Sequence, residues 1–154
     1  MKKVKILWAI ALGLGYVVTL SFISALLGDV HSSWYRSLIL PNFMPNNVLF
    51  SAVWGVVYLF FALTFAETFA KNVKISIILG YILIAIFNVC YLVFFFKLND
   101  LLVSFIFCFI DVICVLLVGF ALIKHKFRLS WLFLLIFIWY AFSLTLSYFI
   151  LMKN

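Results

Sequence analysis

Five times along this chain, about twenty residues pass almost without a charge, and charged residues fall almost entirely between those runs. Ile6 to Gly28 separates Lys5 from Asp29. Arg36 and Glu67 enclose a second run, but Pro41 and Pro45 interrupt its first part, so its spanning portion begins near Asn47, with Asn46 or Asn47 available as an N-cap. Lys74 and Lys97 bound the third, Asp100 and Lys124 the fourth, broken only by Asp111, and Arg128 and Lys153 the fifth. Each reaches the roughly 20 apolar residues that a bilayer-spanning helix needs. The expected spans are approximately 6–28, 47–69, 75–96, 100–123 and 129–152. The fold class is therefore all-α, an integral membrane bundle of five transmembrane helices in a single domain, 1–154.

Composition agrees: 69% of the 154 residues are hydrophobic, 10% are charged, and the mean hydropathy is +1.36. A soluble domain carries about 25% charged residues, so lipid must cover most of this surface. The net charge of +7 does not imply nucleic acid, because the basic residues lie in the gaps between apolar runs, which is a topology signal. Eight of the eleven Lys and Arg fall on one side: Lys2, Lys3, Lys5, Lys71, Lys74, Lys124, Lys126 and Arg128. Arg36, Lys97 and Lys153 fall on the other. The positive-inside rule places the amino terminus in the cytoplasm and the carboxyl terminus outside. Lys2, Lys3 and Lys5 ahead of an apolar run resemble a signal peptide, but that run exceeds the 7–15 residues of such a region and no small-residue cleavage site closes it, so an uncleaved first helix is expected.

Catalytic motifs are missing: there is no phosphate loop, HExxH, GxSxG or carboxylate pair at helical spacing. Cys90, Cys108 and Cys114 lie in apolar runs without metal-ligand spacing and read as small hydrophobes. His31 and His125 belong to opposite sides and cannot share a metal. No cofactor is required by any motif. Glu67 and Lys71 form an i, i+4 pair with a structural reading.

What remains is aromatic and polar. Phe50, Trp54 and Tyr58 recur every four residues on one face; Asn88, Tyr91 and Phe95 share a face of the third helix; Trp139, Phe142, Ser143 and Leu146 share one of the fifth. An Asn facing hydrocarbon would be left without partners, so Asn88 is expected to point inward. At about 1.5 Å per residue, Trp54 and Asn88 lie roughly 10–13 Å below the outer end. The three faces would then line one cavity in the outer half, covered by the long loop 29–46 with Trp34, Tyr35 and Phe43. An aromatic belt at the membrane surface is the competing reading of Trp34. Asp111, in mid-span, reads either as a functional group or, slightly favoured, as a protonated or hydrogen-bonded tie between helices.

The stretch Trp34-Tyr35-Arg36-Ser37-Leu38-Ile39-Leu40-Pro41-Asn42-Phe43-Met44-Pro45, with Phe50, Val53-Trp54 and Tyr58, resembles the WYxxLxKPxWxPPxxxFxxVWxxLY pattern of the TspO/MBR family, the tryptophan-rich sensory and translocator proteins. Asn88, Tyr91 and Phe95-Phe96 resemble its NxxWxxxFF, and Trp139, Phe142, Leu146 and Tyr148 its fifth-helix motif. The sequence departs from the family at Leu40, Phe43, Asn46, Tyr91, Ser147 and Leu135-Ile136, and Asp111 stands about one turn farther from Asn88 than the family's helix-four Asp. The resemblance implies a receptor- or sensor-like bundle that binds a tetrapyrrole such as protoporphyrin IX. Family pocket positions fall on Trp54, Asn88, Tyr91, Trp139, Phe142, Ser143 and Leu146. It further implies a homodimer and, as in some bacterial members, light- and oxygen-dependent porphyrin degradation with Trp54 and Trp139 involved; whether turnover occurs is left open. The loose cholesterol pattern of animal members fits Leu146, Tyr148 and Lys153. The full candidate ligand set is Phe43, Phe50, Trp54, Tyr58, Asn88, Tyr91, Phe95, Trp139, Phe142, Ser143 and Leu146. Two alternatives stand beside it. One is a transporter of an amphipathic metabolite, disfavoured by proline-free helices three to five and the lack of repeats. The other is a structural homodimer joined through the small-residue pairs Ala9/Gly13 or Ala11/Gly15 of the first helix.

Overall fold

A computed structural model describes the backbone of residues 2–71 and 74–154, with side chains from residue 7 onward. The side chains of Lys2, Lys3 and Lys5, counted in the charge bias above, lie outside the described ones. The described residues are helical: α1 (Lys2–Leu27), a short α2 (Ser33–Ser37) inside the long loop, α3 (Asn47–Ala70), α4 (Ile75–Leu92), α5 (Leu101–Lys124) and α6 (Leu132–Lys153). α4 runs on into one π-helical turn, Val93–Lys97. Among the described residues, α1, α3, α4 with its π turn, α5 and α6 are long and apolar enough to cross a membrane.

Local chemistry sets the helix ends. The Asn46 side chain accepts from the Leu49 N–H at 2.9 Å and caps α3. Asp100 does the same for α5 through the Val103 N–H at 2.9 Å. Between them Asn99 turns the chain at φ 55°, a left-handed conformation that Asn tolerates better than most residues.

The helices form a closed ring in the order α3, α1, α4, α5, α6 and back to α3, with α1·α3, α4·α5 and α5·α6 the most extensive pairings. Because lipid tails are as apolar as leucine, such pairs are held by close packing rather than by expulsion of water. Small residues permit it. A Cβ built on Gly13 would lie 2.7 Å from the Ala62 carbonyl oxygen of α3, and one on Gly80 would lie 2.5 Å from Val118 of α5. Ala9 and Gly13 therefore belong to the α1–α3 seam within one chain, which corrects their reading as a dimer face. Ala11 and Gly15 remain exposed.

The two ends of the bundle differ. In the end away from the long loop, Phe61, Tyr81 and Phe133 are almost fully buried and meet edge to face at 5.7–6.3 Å. Buried Thr64 and Thr68 return their hydroxyls to carbonyls of their own helix, at 2.9 Å to Phe60 and 2.7 Å to Thr64. At that end Glu67 also does more than pair with Lys71 at 2.6 Å. Its carboxylate accepts the backbone N–H groups of Arg128 and Leu129, both at 2.9 Å, and so fastens the α5–α6 turn to α3. That half is solid. The half beneath the long loop is not.

Candidate ligand cavity

Under the loop the ring of helices opens around a cavity of about 360 Å³, within the usual range for small-molecule sites. Its α3 wall is Phe50, Trp54 and Tyr58, one side chain per turn. Its α4 wall is Asn88, Tyr91 and Leu92, continued by Phe95 and Phe96 from the π turn. Tyr91 and Phe95 stack at 5.5 Å and 19°. α6 contributes Tyr140, Ser143, Leu146 and Ile150, α5 contributes Cys108 and Asp111, and α1 adds a stripe of small residues, Ser21, Ser24 and Ala25, continued by Gly28 just past its end.

A hydrogen-bond chain crosses the floor. The Ser24 and Tyr58 hydroxyls lie 2.8 Å apart, and the Tyr58 O–H donates to Asn88 Oδ1 at 3.2 Å. With that proton directed at Asn88, Ser24 is the donor to Tyr58. Three helices, α1, α3 and α4, are thus joined through buried polar groups that would otherwise face hydrocarbon unpaired. Asn88 is buried and inward-facing. Its carbonyl oxygen is already used, which leaves its N–H groups for other partners.

The loop reaches the cavity through Val30, Tyr35 and Met44. Ser32 caps α2 by accepting the Tyr35 N–H at 3.2 Å. Tyr35 then stacks on Phe96 at 5.7 Å and 29°, while Trp34 meets Phe95 edge-on at 5.2 Å. Trp34 therefore packs on the end of α4, and burial raises the Tyr35 phenol above its ordinary pKa. Farther along, the Ile39 N–H donates to Asn154 Oδ1 at 2.9 Å and the Asn154 amide donates back to the Ile39 carbonyl at 3.3 Å. This pair ties the loop to the end of α6.

Of the residues expected at the site, Phe50, Trp54, Tyr58, Asn88, Tyr91, Phe95, Ser143 and Leu146 stand in the cavity wall. Three do not. Trp139 is behind the wall, its ring 5.5 Å from Phe50 and 6.3 Å from Trp54. Phe142 lies 5.2 Å behind Trp139. Phe43 is 48% exposed and packs against Phe142 and Phe149 on the outside of α6, because the Ile39–Asn154 tie carries the loop over that helix. The cavity face of α6 is centred on Tyr140, Ser143 and Ile150, turned by about 50° from the face expected. Sequence reasoning missed Tyr140, three residues before Ser143, and the α1 stripe, whose signal is the spacing of Ser21, Ser24 and Gly28. Leu146 is buried at the cavity while Tyr148 and Lys153 are exposed, so the residues of the loose cholesterol pattern do not share a surface.

Asp111 belongs to the same cavity. It is 2% exposed, and its Oδ1 has no hydrogen-bond partner within the protein. It lines the cavity and stands beside Asn88 of α4.

No curated protein sequence matches the chain. A sequence model of the TspO/MBR family, in contrast, matches residues 7–152, which takes in all five spanning helices, the loop and every wall of the cavity. Membership supports a sensor- or transporter-like role at the membrane. By this match over nearly its whole length, the chain belongs to the TspO/MBR family.

Proposed function

We propose that the protein is a membrane receptor for a flat apolar ligand, a tetrapyrrole of the protoporphyrin class, taken up in the cavity beneath the 29–46 loop. One observation carries this reading: aromatic side chains of α3, of α4 and of its π turn line one largely apolar cavity, with Asn88, Asp111 and Ser143 among its deep polar groups. Rings of this kind stack on a macrocycle, and a few fixed polar groups orient it. Tyr35 and Met44 from the loop would close over the bound ligand.

Light-driven degradation of the ligand is a further part of the proposal. Trp54 is the indole that would touch the macrocycle. Trp139, 6.3 Å behind it and nearly perpendicular, would be the next aromatic group in line for an electron or radical. The reading also includes the orientation set by the charge bias, with the loop outside, and a homodimer, for which the exposed Ala11–Gly15 face of α1 is available.

Titration of the purified protein with protoporphyrin IX, followed by intrinsic tryptophan fluorescence, tests the core of the proposal. Saturable quenching in the wild type that weakens by about tenfold or more in Trp54→Ala is the expected result. Unsaturable quenching, or identical curves for both proteins, would overturn it.

A further inference from the structure

The floor of the cavity holds a carboxyl group that the tetrapyrrole reading does not use. Asp111 lies in the middle of α5, about 15 Å below the loop end of that helix. Its Oδ1 is buried without a protein partner. No Lys, Arg or His is among the residues that line the cavity, so within the described residues nothing there supplies a compensating positive charge. Cys108 lies about one turn away on α5, and Tyr58 and Tyr140 line the same cavity.

The neighbouring polar groups point one way. Ser24 donates to Tyr58, and Tyr58 donates to the carbonyl oxygen of Asn88. Asn88 stands beside Asp111 and has its N–H groups to offer. A run of donors ending at a carboxyl group favours an acceptor there, and each bond in such a chain polarises the next. A second unpartnered atom, Ser143 Oγ, lines the cavity from α6, the helix packed next to α5, at a similar depth.

We infer that Asp111, with Asn88 and Ser143 beside it, forms a subsite for the nitrogen of a lipophilic amine, whose apolar body occupies the aromatic part of the cavity. An isolated charge at this depth is costly, and an ammonium–carboxylate pair supplies its own compensation. A neutral amine arriving from the lipid takes the proton of the Asp111 carboxyl onto its nitrogen. The O–H bond breaks, the N–H bond forms, and the net charge of the cavity does not change. An anionic ligand group has no such partner at the floor and is turned toward the mouth. The inference rests on the cavity reading above, but not on the ligand being a tetrapyrrole.

The test uses three probes of similar bulk in calorimetric titrations of the full chain in detergent micelles: 2-(1-naphthyl)ethylamine, 1-ethylnaphthalene and 1-naphthylacetate. The amine is expected to bind about tenfold or more tightly than the hydrocarbon, with the carboxylate weakest. Asp111→Asn, of the same shape, is expected to remove that preference. Equal binding of amine and hydrocarbon by the wild type would overturn the inference, and this comparison needs no variant, so it decides even if Asp111→Asn does not fold. An amine preference that survives Asp111→Asn would also overturn it. Protoporphyrin IX titrated in parallel separates the two readings. An Asp111-dependent amine preference without porphyrin binding removes only the tetrapyrrole proposal, whereas porphyrin binding with no amine preference removes only the carboxyl subsite.

Discussion

Trp54 and Trp139 belong to one aromatic cluster, yet only Trp54 reaches the cavity; Trp139 touches it through Phe50 and Trp54. Their substitutions should therefore separate. Trp139→Ala is expected to change the protoporphyrin dissociation constant by less than about threefold, under about 0.7 kcal/mol, against about tenfold, or about 1.4 kcal/mol, for Trp54→Ala. If light-driven pigment loss occurs, Trp139→Ala should slow it while leaving binding nearly intact. Equal loss of affinity in both variants, read by fluorescence titration, would show that the two indoles touch the ligand alike. The same contrast marks how far the site could be read from sequence. Phe50, Trp54 and Tyr58 were legible because a strict four-residue spacing fixes one face, and Asn88 because an amide in a membrane span has only one tolerable direction. On α6 almost every position is apolar, so the face shared by Trp139, Phe142, Ser143 and Leu146 left its rotation loosely fixed, and Trp139 was placed in the wall with the polar Ser143. Asp111 was visible as a residue but not as a cavity group, since the cavity and its one unpartnered oxygen exist only in three dimensions.

At the level of helices, the boundaries follow from charges, prolines and caps, while the seams follow from small residues whose partners sequence alone does not name. α1 carries two small-residue pairs offset by two positions, and the spacing rule treats them alike. Coordinates separate them: Gly13 is pressed on the Ala62 carbonyl, whereas a Cβ on Gly15 meets nothing within 4 Å. Gly13→Leu is therefore expected to destabilise the monomeric bundle by about 1–3 kcal/mol, the usual range for overpacking, seen as a lower midpoint of unfolding in detergent. Gly15→Leu should leave that midpoint unchanged. A shift of the same size in both variants would argue against the assigned seam. The clamp at Glu67 teaches the same lesson. Its pairing with Lys71 is local and could be read from the i, i+4 spacing, but its bonds to Arg128 and Leu129 span sixty-one and sixty-two positions and depend on the ring of helices having closed.

For the molecule as a whole, the asymmetry that matters runs along the membrane normal. Aromatic packing fills one half, the cavity and its loop occupy the other, and the two ties at the ends, Glu67 to Arg128 and Ile39 to Asn154, show which helix ends lie together. That geometry fixes which groups share a side, but not which side faces the cytoplasm. The distribution of Lys and Arg predicts the direction. Lys71, Lys124, Lys126 and Arg128 gather at the filled end, whereas Arg36, Lys97 and Lys153 are spread over the cavity end. Positive charge is retained in the cytoplasm, so the cavity should open toward the opposite face and draw its ligand from the outer half of the bilayer. Single cysteines placed at Ser37 and at Lys126 test this in intact cells. Ser37→Cys should react with a membrane-impermeant maleimide added outside, and Lys126→Cys only after permeabilisation. The native Cys90, Cys108 and Cys114 lie within α4 and α5 and should remain silent. The reverse pattern would turn the cavity toward the cytoplasm, and a ligand made inside the cell would then reach Trp54 and Asp111 without first crossing the membrane.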